Sequence, residues 1–406
     1  MNFAENGRII NLGIVGLGGR GRGWTKALLD MKDVNVTAVC DIYQDRIDET
    51  CQMVEKGRGK KPFATTDYHE LVAREDIEAV LIFANWEIHA RVAAAALRTG
   101  KRVGIEVGGA ASIEECWEMV KLSELHKTPV MFLENCCYGR DELTVLNMER
   151  QGMFGELVHC HGGYQHDLRE EIGWGDVKRH YRQNHFMHRN GELYPMHALG
   201  PIAKLLRINR GNRMVTLTAM ASKAVGLHEW YLKNRPGDPL TERVVAEGDI
   251  VTTLIKCAGG ETIVLTHDCT LPRPYSRAGR VQGTKGIWME DKHAYYLEGV
   301  HPSHEWVSFD EALEKNTHPL WKAFAESDRE GTHGGMDYLV MRAFVESVQK
   351  RENPPIDVYD AAAWMAITCL SEQSIALGGM PVAIPDFTNG SWINRTDDVP
   401  GQYALL

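Results

Sequence analysis

The sequence predicts an α/β protein. An N-terminal Rossmann-type doubly wound parallel sheet is followed by an α+β domain with an open, mainly antiparallel sheet. Three observations carry this. A glycine turn at Gly16, Gly18 and Gly21 joins the apolar run Ile9–Val15 to a helical stretch at Trp24–Met31. Apolar runs of strand length then alternate with helical stretches through the first third, the pattern of a parallel sheet covered on both faces. After Arg140 the runs alternate apolar and polar residues, as antiparallel strands with one solvated face do. The boundary falls there, with 1–140 as the first domain and 141–406 as the second.

The glycine turn has the G-x-G-x-x-G form in its expected setting. The first glycine permits the tight turn and the second lets a pyrophosphate approach the backbone. The third lets helix and strand pack closely while the helix N-terminus faces the phosphates. A second apolar strand, Val34–Cys40, ends in Asp41, 20 residues after Gly21, where this fold places an acid for the ribose hydroxyls. Asp41 favours NAD over NADP, and Arg46 nearby pulls the other way. In order there follow a charged helix at Gln44–Lys56, a helical piece at Tyr68–Ala73 and a buried strand at Ala79–Ala84. Then come a helix at Ala90–Thr99 closed by Gly100, a strand at Arg102–Val107, a helix at Ile113–His126 and a strand at Val130–Glu134.

Ligands of open α/β sheets sit beyond the carboxyl ends of the strands. The stretches there are the glycine turn, with Gly19 and Arg20, the segment Asn85-Trp86-Glu87-Ile88-His89, the pair Glu106-Val107, and Glu134-Asn135. Asn85, Trp86 and His89 offer hydrogen bonds and a stacking face to a nucleotide. They read equally well as a helix cap beside a packed tryptophan.

In the second domain a helix at Glu142–Gln151 leads into a strand around Val158–Tyr164. Strands follow at Met214–Ala221, Ile250–Cys257, Glu261–Asp268 and Ala278–Gly283, with a glycine hairpin at Ala258-Gly259-Gly260. Long amphipathic helices at Gly334–Arg351 and Tyr359–Leu377 could fold onto either domain. The densest polar-aromatic run holds Tyr164, His166, Asp167, Arg169, His180, Tyr181, Arg182, His185, His188 and Arg189, and ends in Tyr194-Pro195-Met196-His197. Pro195 suits a first helical position, so Tyr194 and His197, three apart, can face one way. Such a pair can move protons near neutral pH, or can be a buried pair satisfying each other. His159 and His161 alternate on a strand, and His180, His185 and His188 are irregularly spaced. No metal site is expected.

The chain has 406 residues, with 45 Lys plus Arg against 55 Asp plus Glu and a formal charge of -10, which argues against nucleic acid or an anionic membrane as partner. Nine scattered cysteines read as buried thiols of a reducing compartment. The polar stretch Met1–Arg8 runs directly into the first strand, leaving no room for a signal peptide, and no apolar run reaches membrane-spanning length. A cytoplasmic location is expected.

Taken together, the chain resembles the Gfo/Idh/MocA superfamily of NAD(P)-dependent oxidoreductases. Within it the chain is most similar to family 109 of the glycoside hydrolases, the NAD-dependent α-N-acetylgalactosaminidases and their relatives. The likeness rests on GLGGRGRG at Gly16–Gly23, CDIYQDR at Cys40–Arg46, NWEIHA at Asn85–Ala90 and EV at Glu106-Val107. It continues in ENCCY at Glu134–Tyr138, LYPMHALGP at Leu193–Pro201, INRGNR at Ile208–Arg213, RPYSR at Arg273–Arg277 and HGGMDY at His333–Tyr338. The resemblance implies NAD as cofactor, held by Gly16, Gly18, Gly19, Arg20, Gly21, Asp41, Asn85, Trp86, His89, Glu106, Val107 and Asn135. It also implies a glycosidase that is redox-neutral overall. The sugar C3 hydroxyl is oxidised, the C2 proton is removed, the aglycone leaves C1, water adds, and C3 is reduced again.

By the same likeness Tyr194 and His197 serve the C3-hydroxyl and C2 proton transfers, and Tyr164, Arg182 and Tyr275 grip the sugar. N-acetylhexosaminides or related glycosides are the implied substrates, and a homo-oligomer, dimer or tetramer, is the implied assembly. Sugar dehydrogenases of the superfamily usually carry Glu-Lys-Pro where this chain has Glu106-Val107-Gly108. They also carry an acid four residues before the histidine, where this chain has Leu193. That favours the glycosidase over the alternative, an NAD-dependent sugar or cyclitol dehydrogenase.

Overall fold

The computed structural model describes residues 7–327, 332–396 and 401–405; most of the polar stretch before the first strand therefore lies outside the described residues. The chain divides into two compact units. One contains Met1–Arg140, His318–Ala362 and Thr396–Leu406, the other Asp141–Thr317 and Ala363–Arg395. The C-terminal third thus differs from a simple 1–140 and 141–406 division, because a late helix packs on the first sheet and the chain end bonds to that helix and to Tyr138.

In the first unit, β1 (Ile10–Val15), β2 (Val34–Cys40), β3 (Phe63–Thr65), β4 (Ala79–Ile82), β5 (Arg102–Ile105) and β6 (Val130–Phe132) form one sheet in the order β3-β2-β1-β4-β5-β6. Every pairing in it is parallel. Strand β4 is wholly buried, which is why its sequence is an unbroken apolar run. The helices start where the sequence supplies caps: Asn85 accepts from the Glu87 N–H, and Ser112 from Glu115, the first and last members of an S-x-x-E box. The late helix Met336–Lys350 lies against β5, where a Cβ on Gly104 would come within 3.0 Å of the Phe344 ring. It is fastened by a buried two-point ion pair between Arg342 and Asp33, at 2.7 and 2.9 Å.

The second unit holds a nine-stranded sheet. Its strands are β7 (Leu157–Gln165), β8 (Met214–Ala221), β9 (Ile250–Cys257), β10 (Thr262–Asp268), β11 (Arg280–Gly283), β12 (Gly286–Met289), β13 (Ala294–Leu297), β14 (Val307–Ser308) and β15 (Val382–Ala383). Their order is β14-β13-β12-β11-β7-β10-β9-β8-β15, antiparallel except for β7 and β10. Along β9, Val251, Thr253, Ile255 and Cys257 are buried while Thr252, Leu254 and Lys256 are exposed, so the sheet has one covered and one open face. On the covered face the helix Met196–Leu205 approaches β7 closely; a Cβ on Gly162 would lie 2.7 Å from that of Ala198. All nine cysteines are thiols outside any disulfide, and eight are buried. Among the described residues no helix is long and apolar enough to cross a membrane.

Candidate active site

In the first unit the glycine turn has the backbone its sequence requires. Gly16 sits at φ +93°, and a Cβ there would meet the Ala84 nitrogen at 2.4 Å; one on Gly21 would meet the Gly16 carbonyl oxygen at 1.9 Å. Nothing lies within 4 Å of a Cβ on Gly19, the first residue of the helix Gly19–Leu29. That helix has no side-chain cap and no acid in its first turn, which leaves its N–H groups to an anion. Asp41, at the end of β2, accepts from the Leu17 N–H at 2.6 Å and the Tyr43 N–H at 3.0 Å. Its carboxylate therefore ties the turn itself, with Arg46 3.8 Å away.

Asn85 is the helix cap and Trp86 is buried beside it. His89 is buried too; its Nε2 lies 2.8 Å from the Ala84 carbonyl, and its Nδ1 has no hydrogen-bond partner among the described residues. Burial pushes its pKa down to about 4, so the ring is neutral. An unpartnered buried nitrogen beside a turn whose Gly16 and Gly21 admit no side chain fits a bound dinucleotide.

Arg20 and Asn135 meet at a residue the sequence reading did not place there, Asp337, and Glu106 joins them through Arg20. The Glu106 carboxylate accepts from Arg20 Nε at 2.8 Å and Trp24 Nε1 at 3.2 Å. The other edge of the Arg20 guanidinium donates to both oxygens of Asp337, at 2.8 and 3.0 Å. Asn135 Nδ2 donates to Asp337 at 2.8 Å, and His333 Nδ1 lies 2.7 Å from it. Arg20 is thus held between two carboxylates. The available signal was the HGGMDY segment, which contains both His333 and Asp337.

In the second unit five of the expected residues come together. Tyr164 is the penultimate residue of β7, and Tyr194 and His197 flank the start of the helix Met196–Leu205, with Pro195 as its cap residue. The Tyr164 and Tyr194 rings are 4.5 Å apart; His197 is 4.9 Å from Tyr194 and 5.6 Å from Tyr164. The Tyr194 hydroxyl lies 3.5 Å from His197 Nε2. Tyr275 meets Tyr164 edge-on at 6.3 Å. The Arg182 guanidinium stands 5.7 and 5.2 Å from the Tyr164 and Tyr194 rings, and Glu171 accepts from it at 3.1 Å. Burial raises the Tyr164 pKa and Arg182 opposes the rise.

Behind Tyr164 lies a polar group that sequence reasoning missed. His267 Nδ1 is 3.0 Å from Glu247, and His267 Nε2 is 3.4 Å from the Cys269 thiol, which itself reaches the Tyr164 carbonyl. The Gly191 N–H donates to Glu247 at 2.9 Å. All are buried, as is Glu192, whose pKa burial pushes up to about 7. Gly191 and Glu247 are 56 residues apart and Cys269 and Tyr164 105 apart, beyond the reach of any local pattern.

The fold and its glycine turn define the class. A family model described as an oxidoreductase family NAD-binding Rossmann fold matches residues 10–133, and the protein binds NAD. Solved structures share the fold across both units. An NAD-binding oxidoreductase from Klebsiella pneumoniae is 18% identical with a TM-score of 0.72, covering 93% of this chain and 99% of that one. A levoglucosan dehydrogenase in complex with NADH is 16% identical with a TM-score of 0.69, covering 93% and 100%.

The model of the glycosyl hydrolase 109 C-terminal domain matches residues 138–394. A glycosyl hydrolase family 109 protein of Stenotrophomonas maltophilia is 42% identical over 96% of this chain and 91% of its own length. An alpha-N-acetylgalactosaminidase of Tannerella forsythia is 39% identical over 95% and 88%. The chain belongs to glycosyl hydrolase family 109 and is, at the level of that family, an NAD-dependent glycosidase.

Proposed function

We propose that the protein hydrolyses glycosides without net redox change, on N-acetylhexosaminides or closely related sugars. One observation carries the reading: Tyr164, Tyr194, His197 and Tyr275 converge with Arg182 in one cluster, in a chain that binds NAD. NAD, which the glycine turn at Gly16, Gly18 and Gly21 with Asp41 would hold, would supply the acceptor for the sugar C3 hydride and its return, with C3 a ketone in between.

What the chain's own residues do follows from that. Tyr194 and His197 serve the protons at the C3 hydroxyl and at C2. Arg182, fixed by Glu171 and flanked by two aromatic faces, orients the ring and favours the enolate formed when the C2 proton leaves. Loss of that proton expels the aglycone from C1, and water adds there as C2 regains a proton. Glycoside and water become sugar and alcohol. The apolar Val107 and Leu193, both buried, stand where the sugar dehydrogenases described above carry a lysine and an acid.

The test is to incubate the protein, as isolated, with nitrophenyl α- and β-glycosides in deuterated water. Steady nitrophenol release with substoichiometric NAD, and deuterium at C2 of the sugar, is expected; a hydrolase working through two carboxylates never breaks that C–H bond. Stoichiometric NADH without aglycone release would instead mark a sugar dehydrogenase, a reading the fold neighbours keep open. Protium retained at C2 of the released sugar would overturn the mechanism.

A further inference from the structure

The cluster holds a second tyrosine–histidine pair. Tyr164 Oη and His166 Nδ1 are 3.2 Å apart, closer than Tyr194 and His197 at 3.5 Å. The His166 ring meets Tyr275 edge-on at 5.1 Å, and its backbone N–H donates to the Asp268 carbonyl at 2.9 Å, fixing it beyond the end of β7. Arg182 lies over both tyrosine rings, so the two pairs flank one guanidinium. The proposed reaction moves protons at two different sugar atoms, and two pairs are present. We infer that His166 is the proton acceptor behind Tyr164, a relay residue that takes over the C3 hydroxyl from the Tyr194–His197 pair and leaves that pair for C2; this rests on the reaction proposed above and refines its division of the protons.

The division follows from the chemistry of the two protons. An O–H proton passes readily between oxygens, and a phenol backed by a neutral imidazole is such a relay. A C–H proton needs a base that touches it directly, the role this division leaves to the Tyr194–His197 pair. In the relay the C3 hydroxyl proton forms a new bond to Tyr164 Oη while Tyr164's own proton moves to His166 Nδ1. The electron pair left on the C3 oxygen becomes the carbonyl as the hydride departs to NAD. At re-reduction the same bonds reverse and the oxygen recovers its proton.

The surroundings keep His166 in the accepting form. Its burial, Arg182 on one side and His197 on another lower its pKa, against Glu171 and its neighbour Asp167. Asp167 is engaged by Arg169 at 2.9 and 2.7 Å, and Glu171 by Arg182. Tyr164 and Tyr275 complete the ring's neighbours.

The test compares wild type with His166→Asn, whose amide oxygen can still accept from the phenol but cannot hold a proton, and with His166→Ala. Turnover of His166→Asn should fall roughly 10- to 100-fold. The isotope effect with substrate deuterated at C3 should rise, because oxidation becomes slower. Wild-type kcat/KM should decline toward acid pH as His166 protonates, and that limb should vanish in His166→Asn. Added imidazole should restore part of the activity of His166→Ala, which separates lost chemistry from a damaged fold. Wild-type turnover, isotope effect and pH profile in His166→Asn would overturn the inference.

If the wild-type protein forms NADH and releases no aglycone, the hydrolase reading fails. The C3 isotope effect and the acid limb then still decide the relay. Whatever the substrate, ¹⁵N spectra of the histidines should show the His166 midpoint moving in Tyr164→Phe; an unmoved midpoint counts against the pair.

Discussion

Replacing Asp337 by Asn probes the junction on which three cofactor-site candidates depend. The side chain is buried and receives two bonds from Arg20, one from Asn135 and one contact from His333. Charge-assisted bonds cost about 1.5–3 kcal/mol each when broken, but the four share one carboxylate and cannot be summed. Arg20 also keeps Glu106, and its side chain is 33% exposed, so water can solvate part of what the carboxylate releases. The amide oxygen still accepts from Asn135 or from one edge of Arg20. A loss of about 2 kcal/mol follows, or roughly 4–8 °C in the melting temperature of a domain of this size. Because Arg20 and Asn135 lose their common anchor, NAD affinity should fall about tenfold, which is about 1.4 kcal/mol. Scanning calorimetry on NAD-stripped protein and titration calorimetry with NAD read the two effects separately. A melting temperature and an affinity both equal to wild type would show that Arg20 and Glu106 hold each other without Asp337.

Four further outcomes are expected. Asp41→Ala should weaken NAD by ~1–3 kcal/mol, and the wild-type protein should prefer NAD to NADP in calorimetry; equal affinities would refute the assignment of Asp41. His197→Ala should retain NAD yet lose roughly 10²- to 10⁴-fold in turnover, and unchanged rates would remove His197 from the chemistry. His89 is neutral when folded and has a pKa depressed from 6.5 to about 4, so the unfolded chain binds the extra proton first and its contribution is lost as pH falls from about 6.5 toward 4. Urea titrations over that window should show wild type losing about 3 kcal/mol more than His89→Gln, and parallel curves would contradict it. The open face of the second sheet, where Met220 and Leu254 are exposed, is expected to pair between copies. Light scattering should then report a dimer or larger even assembly at micromolar concentration, and a monomer would count against it.

How far the sequence could be read depended on the range of each interaction. The parallel strand β4 was legible because burial on both faces leaves an unbroken apolar run, and β1, β2 and β5 because burial keeps most of their residues apolar. The edge strand β3, three half-buried residues long, and the four-residue strands β12 and β13 carry too few residues for a period to show. The shared face of Tyr194 and His197 follows from a spacing of three. Asp337 and Arg20 are 317 residues apart, and Arg342 and Asp33 are 309 apart, so no local pattern could announce either pair. Glu247 and Glu192 are fully buried, and His267, distant in sequence on β10, faces both with its charge.

The route of the chain has a consequence for its birth on the ribosome. The first unit recovers His318–Ala362 only after Asp141–Thr317 of the second unit has been made, and the C-terminal residues only after Ala363–Arg395 as well. Its sheet is complete at residue 132, yet Arg342 has not arrived to meet Asp33, nor Gln402 to rest on Glu346, nor the Tyr403 carbonyl to take the Tyr138 hydroxyl. Until then β5 lacks the helix that covers it, and Asp33 waits without its cation. The nascent Rossmann sheet must therefore persist half-clad while nearly two hundred further residues emerge, at about 5–20 residues per second. A chain stopped after residue 317 would carry every glycine of its nucleotide turn and still lack the helix that fastens the first unit shut.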